Sequence, residues 1–102
     1  MQTDVIHVPD DSRFDLLVDG EPVGRLDYTR DGDLWSMNHT EVDPRLGGRG
    51  LGAVLVLGAL DVVAAEGGSV LPLCPFVPRV IRDHPEHLDL VPQDQRARFG
   101  LG

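Results

Sequence analysis

Three titratable side chains and one glycine-rich bend carry the chemistry this chain can offer. His39 and Glu41 stand two apart in "LWSMNHTEV", Leu34 to Val42, which reads as a strand. Side chains at that spacing share a strand face. The face is expected to run Trp35, Met37, His39, Glu41, turning from apolar to titratable as a core face does where it opens into a cleft. Either residue can serve as a general base, directly or through water. Equally, Glu41 can pair with an arginine while His39 hydrogen-bonds within the fold. Cys74 is the single cysteine. It reads as a packed core thiol, as a nucleophile that needs a lowered pKa and a nearby base, or as an acid for a leaving group. In "RDHPEHL", Asp83, His84, Glu86 and His87 suggest metal ligands, but Pro85 interrupts the helix that would align them. A helix-end turn is the expectation there, and no metal site.

The bend is "DPRLGGRGLGAVL", Asp43 to Leu55, with four glycines in six residues and two flanking arginines. A glycine-rich turn that opens a helix gathers unpaired backbone N–H groups where the helix dipole adds positive charge. Such a corner receives phosphate, and a diphosphate above all. A mononucleotide P-loop would end in Gly-Lys-Ser/Thr, whereas this bend ends Gly50-Leu51-Gly52-Ala53. A dinucleotide fingerprint belongs in the first turn of a parallel sheet, and strands of another kind precede this bend. The plain alternative is a tight connection with no ligand.

The elements that must position these groups follow from turn chemistry and periodicity. "RFDLLVDG", Arg13 to Gly20, is a strand ending in an Asp-Gly turn. A second strand, Val23 to Thr29, closes at Asp31-Gly32, and Leu34 to Val42 is the third; together they make an antiparallel meander. A helix follows from Leu51 to Glu66, apolar almost all round and therefore covered; its valines keep a strand reading open, but its length favours a helix. Ser69 to Phe76 reads as a buried strand whose Pro72 leaves one ladder edge without a donor. A short helix spans Pro78 to Asp83, and residues 93–102 form a polar tail, expected to fray. Cys74 should share a face with Val70 and Pro72, beside the His39 strand. The unit around the glycine bend is βαβ, with two near-parallel strands and a right-handed crossover. The class is α+β, a mixed, mostly antiparallel sheet in a single domain over 1–102.

Bulk properties bound the partners. The chain has 102 residues, 41% hydrophobic and 25% charged, with a formal net charge of −8. That balance argues against a nucleic-acid partner but leaves room for a local anion site at Arg45 and Arg49. No apolar run suits a bilayer, and the acidic N-terminus lacks a signal-peptide core. A lone thiol fits a reducing compartment. The expectation is a cytoplasmic protein with no membrane contact.

The quoted stretches also carry a resemblance. His39-Thr40-Glu41-Val42, then Gly48-x-Gly50-x-Gly52, then Cys74-Pro75-Phe76 with a helix and His84-Pro85-Glu86 behind it, resemble the small single-domain branch of the GCN5-related N-acetyltransferases over Phe14 to Val91. The resemblance implies a minimal acyl-CoA N-acyltransferase fold and an acetyl-CoA site. Gly48, Arg49, Gly50, Leu51, Gly52 and Ala53 would wrap the pyrophosphate, with Val42 beside the pantetheine. It also implies that the strands around Pro72 splay to admit the pantetheine arm, and that Cys74 takes part in the chemistry with His39 as its partner. One position departs from the family pattern, since Gly47 stands where Arg or Gln opens the wider motif; Arg45 and Arg49 are the substitute charges. Arg79 and Arg82 either meet a 3′-phosphate or are solvated. The implied activity is acetyl transfer to an unidentified amine, on a protein or a small cationic molecule. The family's acceptor helices near the N-terminus are missing, so the acceptor site should be open. A non-catalytic CoA-binding module is the alternative reading. The oligomeric state is not legible.

Overall fold

The computed structural model describes residues 1–47 and 49–102. Five strands form one sheet in sequence order. They are β1 (Thr3–Val8), β2 (Arg13–Val18), β3 (Glu21–Asp31), β4 (Leu34–Val42) and β5 (Ser69–Leu71). The first four are antiparallel, and β5 runs parallel to β4 after the helix α1 (Leu51–Ala65). A second helix, α2 (Phe76–Asp83), is followed by short 3-10 turns. The class is the expected mixed α+β sheet with a βαβ unit.

The turns act as their residues dictate. Asp19 and Gly20 both hold positive φ, 50° and 84°, the backbone of the tightest hairpin turn, which glycine tolerates at no steric cost. β3 and β4 pair up to Asp31 and Leu34, leaving Gly32-Asp33 as a two-residue loop with positive φ at Gly32.

Several sequence expectations need correction. Thr3–Val8 is a strand that the acidic N-terminus hid. It pairs with the whole of β2, Thr3 opposite Val18 and Val8 opposite Arg13. The link from β1 to β2 is therefore Pro9–Ser12, too short for acceptor helices. The strand expected over Ser69 to Phe76 stops at Leu71, because Pro72 has no N–H and the Leu73 N–H turns back to the Leu71 carbonyl (3.0 Å). The second helix begins at Phe76 rather than Pro78. Residues 93–102 fold into two 3-10 turns, and Leu101 packs against the core.

The core lies between one sheet face and α1. Leu51, Leu55, Val56, Ala59, Leu60 and Val63 bury themselves against Phe14, Leu16, Leu26, Trp35, Met37 and Val70. Gly58 lets β1 approach the helix: a Cβ there would lie 2.7 Å from the Val5 side chain. At the rim, His7 stacks on Phe14 (centroids 4.5 Å apart) and its Nε2 meets the Tyr28 hydroxyl at 2.7 Å. Burial raises the pKa of that tyrosine.

Candidate active site

The site is set by two irregularities on β4. The first is a bulge. Tyr28 pairs with Met37 and Asp27 with His39, so Asn38 is an extra residue without a partner. A bulge resets which residues face the core. Trp35 and Met37 are fully buried, but beyond the bulge Thr40 pairs with buried Leu26, while His39 and Glu41 pair with Asp27 and Arg25. The expected common face of Trp35, Met37, His39 and Glu41 is thus broken. His39 and Glu41 point to the open face, with 58% and 62% of their side chains exposed. His39 Nε2 lies 3.9 Å from Glu41 Oε2, and Arg25 Nη2 reaches the same oxygen at 3.8 Å.

The second irregularity is the parting of β4 from β5. They pair only at Leu34–Ser69, Trp35–Val70 and Ser36–Leu71. One further hydrogen bond, Cys74 N–H to the Met37 carbonyl (2.8 Å), closes the seam. From Asn38 to Val42, β4 has no strand beside it on that edge among the described residues. Cys74 therefore sits where the strands diverge, with its residue 7% exposed and its thiol free. Like Val70 and Pro72 it is buried, although the strand expected to align the three ends at Leu71. The expected pairing with His39 is not made: among the described residues no hydrogen bond joins their side chains, and His39 faces away across β4.

A cavity of about 440 Å³ opens at this divergence, lined by Thr40, Val42, Leu46, Gly50, Leu51, Gly52, Ala53 and Phe76 among others. The N-terminus of α1 forms part of its wall. The helix starts after Gly50, whose φ of +69° only glycine holds without strain. That residue has no side chain to cap the helix, and no acid stands in the first turn. The N–H groups of Leu51, Gly52 and Ala53 precede the first N–H that an intrahelical acceptor can satisfy, that of Val54 to the Gly50 carbonyl (3.2 Å). Gly52 has a second reason to be glycine: a Cβ would lie 2.9 Å from the Phe76 ring. Arg49 is exposed just before the helix and is not among the cavity's lining residues. Gly48, expected in the same cradle, lies outside the described residues. Arg45 is held by Asp43 through three guanidinium contacts of 2.6 to 3.1 Å. Those bonds hold the Asp43 carboxyl below the usual aspartate range and raise Arg45.

One side chain of the cavity wall escaped the sequence reading. Thr40 lines the cavity, yet among the described residues its buried Oγ1 finds no hydrogen-bond partner. A buried hydroxyl left so costs about 1–3 kcal/mol, unlike one that meets an acceptor. The alternation of the strand, taken with an extra residue at Asn38, would have exposed it. Among the described residues no group of three His, Cys, Asp or Glu side chains is placed to hold a metal, and His84 approaches only Glu86 (3.9 Å). Arg82 reaches the Phe99 carbonyl at 3.4 Å, and Arg79 is exposed.

A family model described as GCN5-related N-acetyl-transferase matches residues 13–90. The chain belongs to that family. The NMR solution structure of a GCN5-like protein from Staphylococcus aureus is similar to this acetyltransferase-family chain at a TM-score of 0.66 and 16% identity, covering 87% of each chain. An N-acetylglutamate synthase from Neisseria gonorrhoeae, complexed with coenzyme A and N-acetyl-glutamate, is similar at 0.52 and 18% identity, over 65% of this chain and 18% of that one. At these identities the likeness is one of fold. No curated protein matches the chain. No helix in the described residues is long and apolar enough to cross a membrane.

Proposed function

We propose that the protein is an acetyl-CoA-dependent N-acetyltransferase acting on an exposed amine. The observation that carries this reading is the cavity where β4 leaves β5, walled in part by an uncapped helix N-terminus. The residues present suit the cosubstrate. The first three N–H groups of α1, which precede the intrahelical ladder, and the helix dipole suit a diphosphate, Val42 and Leu46 offer apolar contact to the pantetheine arm, and the Thr40 hydroxyl has no partner among the described residues. Gly48, Arg49 and Gly50 complete the cradle in this reading.

When bound, acetyl-CoA supplies an acyl carbon activated by sulfur, and transfer exchanges its C–S bond for a C–N bond. The chain's own residues divide the rest between two sides of β4. Leu51, Gly52 and Ala53 anchor the diphosphate on the helix side. His39, steadied by Glu41, takes the proton that the amine sheds on the open side. Cys74, at the parting of the strands, gives a proton to the departing sulfur and regains one from water. A nucleophilic role for Cys74 needs a base at hand, and no titratable side chain hydrogen-bonds it among the described residues. Direct transfer is therefore the mechanism proposed.

The test is titration of the ¹⁵N-labelled chain with CoA, paired with thermal melts. The amides of Leu51 to Ala53 should shift, and the midpoint should rise by mass action. Silence of both would end the reading. The separation of Cys74 from His39 keeps the non-catalytic binding module in play, and enzyme kinetics decide. Thiol release with an amine acceptor that falls at least about tenfold in His39→Ala supports catalysis. CoA binding with no turnover on any amine supports the module. Unchanged turnover in both Cys74→Ala and Cys74→Ser removes the thiol from the mechanism.

A further inference from the structure

The open face of the sheet carries two charge clusters. Arg13 reaches Asp15 at 2.9 Å and Asp11 at 3.2 Å. Arg25 reaches Asp27 at 3.3 Å and Glu41 at 3.8 Å. Each guanidinium is thus shared by two carboxylates, and each cluster keeps a formal negative charge. The residues stand in register across three strands: Asp15 beside Arg25 beside Glu41, and Arg13 beside Asp27 beside His39. Arg13, Asp15, Arg25 and Glu41 border a second cavity of about 470 Å³, with Pro22 and Val23 supplying apolar surface; Asp27 and His39 stand beside it on the same face. Val42, Asp43 and Pro44, the end of β4 and the two residues after it, border both cavities.

We propose that this second cavity is the acceptor subsite and that it takes a lysine side chain presented by an exposed polypeptide segment. The inference rests on the transferase reading above. An anionic acceptor meets arginines that are already matched twice over. A primary ammonium meets surplus carboxylate, and the long 3.8 Å contact of Glu41 with Arg25 is the one it displaces, leaving the shorter Arg25–Asp27 pair in place. At Glu41 the ammonium stands next to His39, which is 3.9 Å away. The apolar stem of lysine lies along Pro22, Val23 and Pro44. Openness selects a polypeptide over a free polyamine. Sites for small molecules enclose most of the ligand's surface, whereas Arg25, Asp27 and Glu41 here are themselves 53%, 37% and 62% exposed. A polypeptide brings its own cover, and Ile6, 45% exposed on the same face, offers it apolar contact.

The test uses the full ¹⁵N-labelled chain without CoA. It is titrated with a blocked Gly-Lys-Gly peptide, with the same peptide carrying norleucine, and with spermidine. The lysine peptide should shift the amides of Asp15, Arg25 and Glu41, and the norleucine peptide should not. Asp15→Asn and Glu41→Gln should each weaken the lysine peptide by about fivefold, the value of one exposed charge at contact distance. If either variant fails to fold, a salt series on the native chain replaces it: binding should weaken between about 0.05 and about 0.5 M salt. Equal response to lysine and norleucine, response to spermidine alone, shifts elsewhere on the molecule, or indifference to salt each overturn the proposal. CoA-induced shifts at Leu51 to Ala53 with a silent peptide would sink this inference and spare the transferase; the reverse pattern would sink the transferase and leave a lysine-binding face.

Discussion

The two faces of the same sheet are built on opposite principles. On the helix side Phe14, Leu16, Leu26, Trp35 and Met37 are wholly buried, and no charged or polar residue is buried in the core among the described residues. On the other side Arg13, Asp15, Arg25, Asp27, His39 and Glu41 alternate in sign and stand in solvent to varying degrees. Stability is concentrated on the first face, because apolar burial is the dominant favourable term. The second is available for binding, because exposed ion pairs contribute little to folding. β4 crosses from one regime to the other at Asn38. One strand therefore walls the core with Trp35 and Met37 and, beyond the bulge, sets His39 and Glu41 on the open face. Only Pro9–Ser12 joins β1 to β2, and no helix lies over this face among the described residues.

The sharpest way to break this comparison is to cut equally into both faces. Trp35→Ala should destabilise the fold by about 3–5 kcal/mol, while Arg25→Ala should stay within about 0.5 kcal/mol. Denaturant unfolding measures both, and similar values would dissolve the distinction. Next in size is Gly58→Ala. Its Cβ meets Val5 at 2.7 Å, an overpacking cost of about 1–3 kcal/mol set against a helix-propensity gain of about 1 kcal/mol. The net should be a loss, and Val5→Ala in the same chain should return part of it, a non-additivity that a double-mutant cycle reads directly.

Thr40→Val tests the border between the faces. Removing an unpaired buried hydroxyl should raise the stability of the free chain by about 1 kcal/mol, while the rise in melting midpoint given by CoA should shrink. A hydroxyl with no ligand role would give the first effect without the second. The smallest effect is electrostatic. Asp43 is hydrogen-bonded by Arg45, which holds its folded pKa below the ordinary 3.8. Its ionised form is favoured on folding, so the pair supports the fold above the unfolded aspartate's pKa and loses that support as pH falls through the lower folded value. Carboxyl ¹³C titration should place the Asp43 midpoint under that of an unpaired aspartate, and Arg45→Ala should bring it back.

Much of the scaffold was legible because its punctuation is local. Asp19-Gly20 and Gly32-Asp33 fix the hairpins by backbone conformation alone, and the apolar run after Gly50 is too long for a strand. Pro72 foretold a break in pairing, though it ends β5 outright rather than thinning one edge. What stayed hidden needs tertiary information. Thr3–Val8 alternates burial, but Asp4 and His7 interrupt the apolar signal, and His7 is held by Phe14 and Tyr28 from distant parts of the chain. Nothing in "SMNHTE" marks Asn38 as an inserted residue, since no glycine or proline stands there. That single uncounted position put His39 and Glu41 on the wrong face and left Thr40 unread. The glycine bend was recognised, but Gly52 owes its identity at least in part to a phenylalanine ring from α2 that sequence distance conceals.

The protein's only tryptophan lies at the seam where β4 holds β5. Trp35 pairs with Val70 there, is capped by the Arg30 guanidinium 4.3 Å from its ring, and lies so close to Gly68 that a Cβ would fall 2.6 Å from its indole nitrogen. The chain thus carries its single indole emitter at the seam of its own cleft. Opening of those two strands, by ligand or by heat, should be visible in its emission with no label attached.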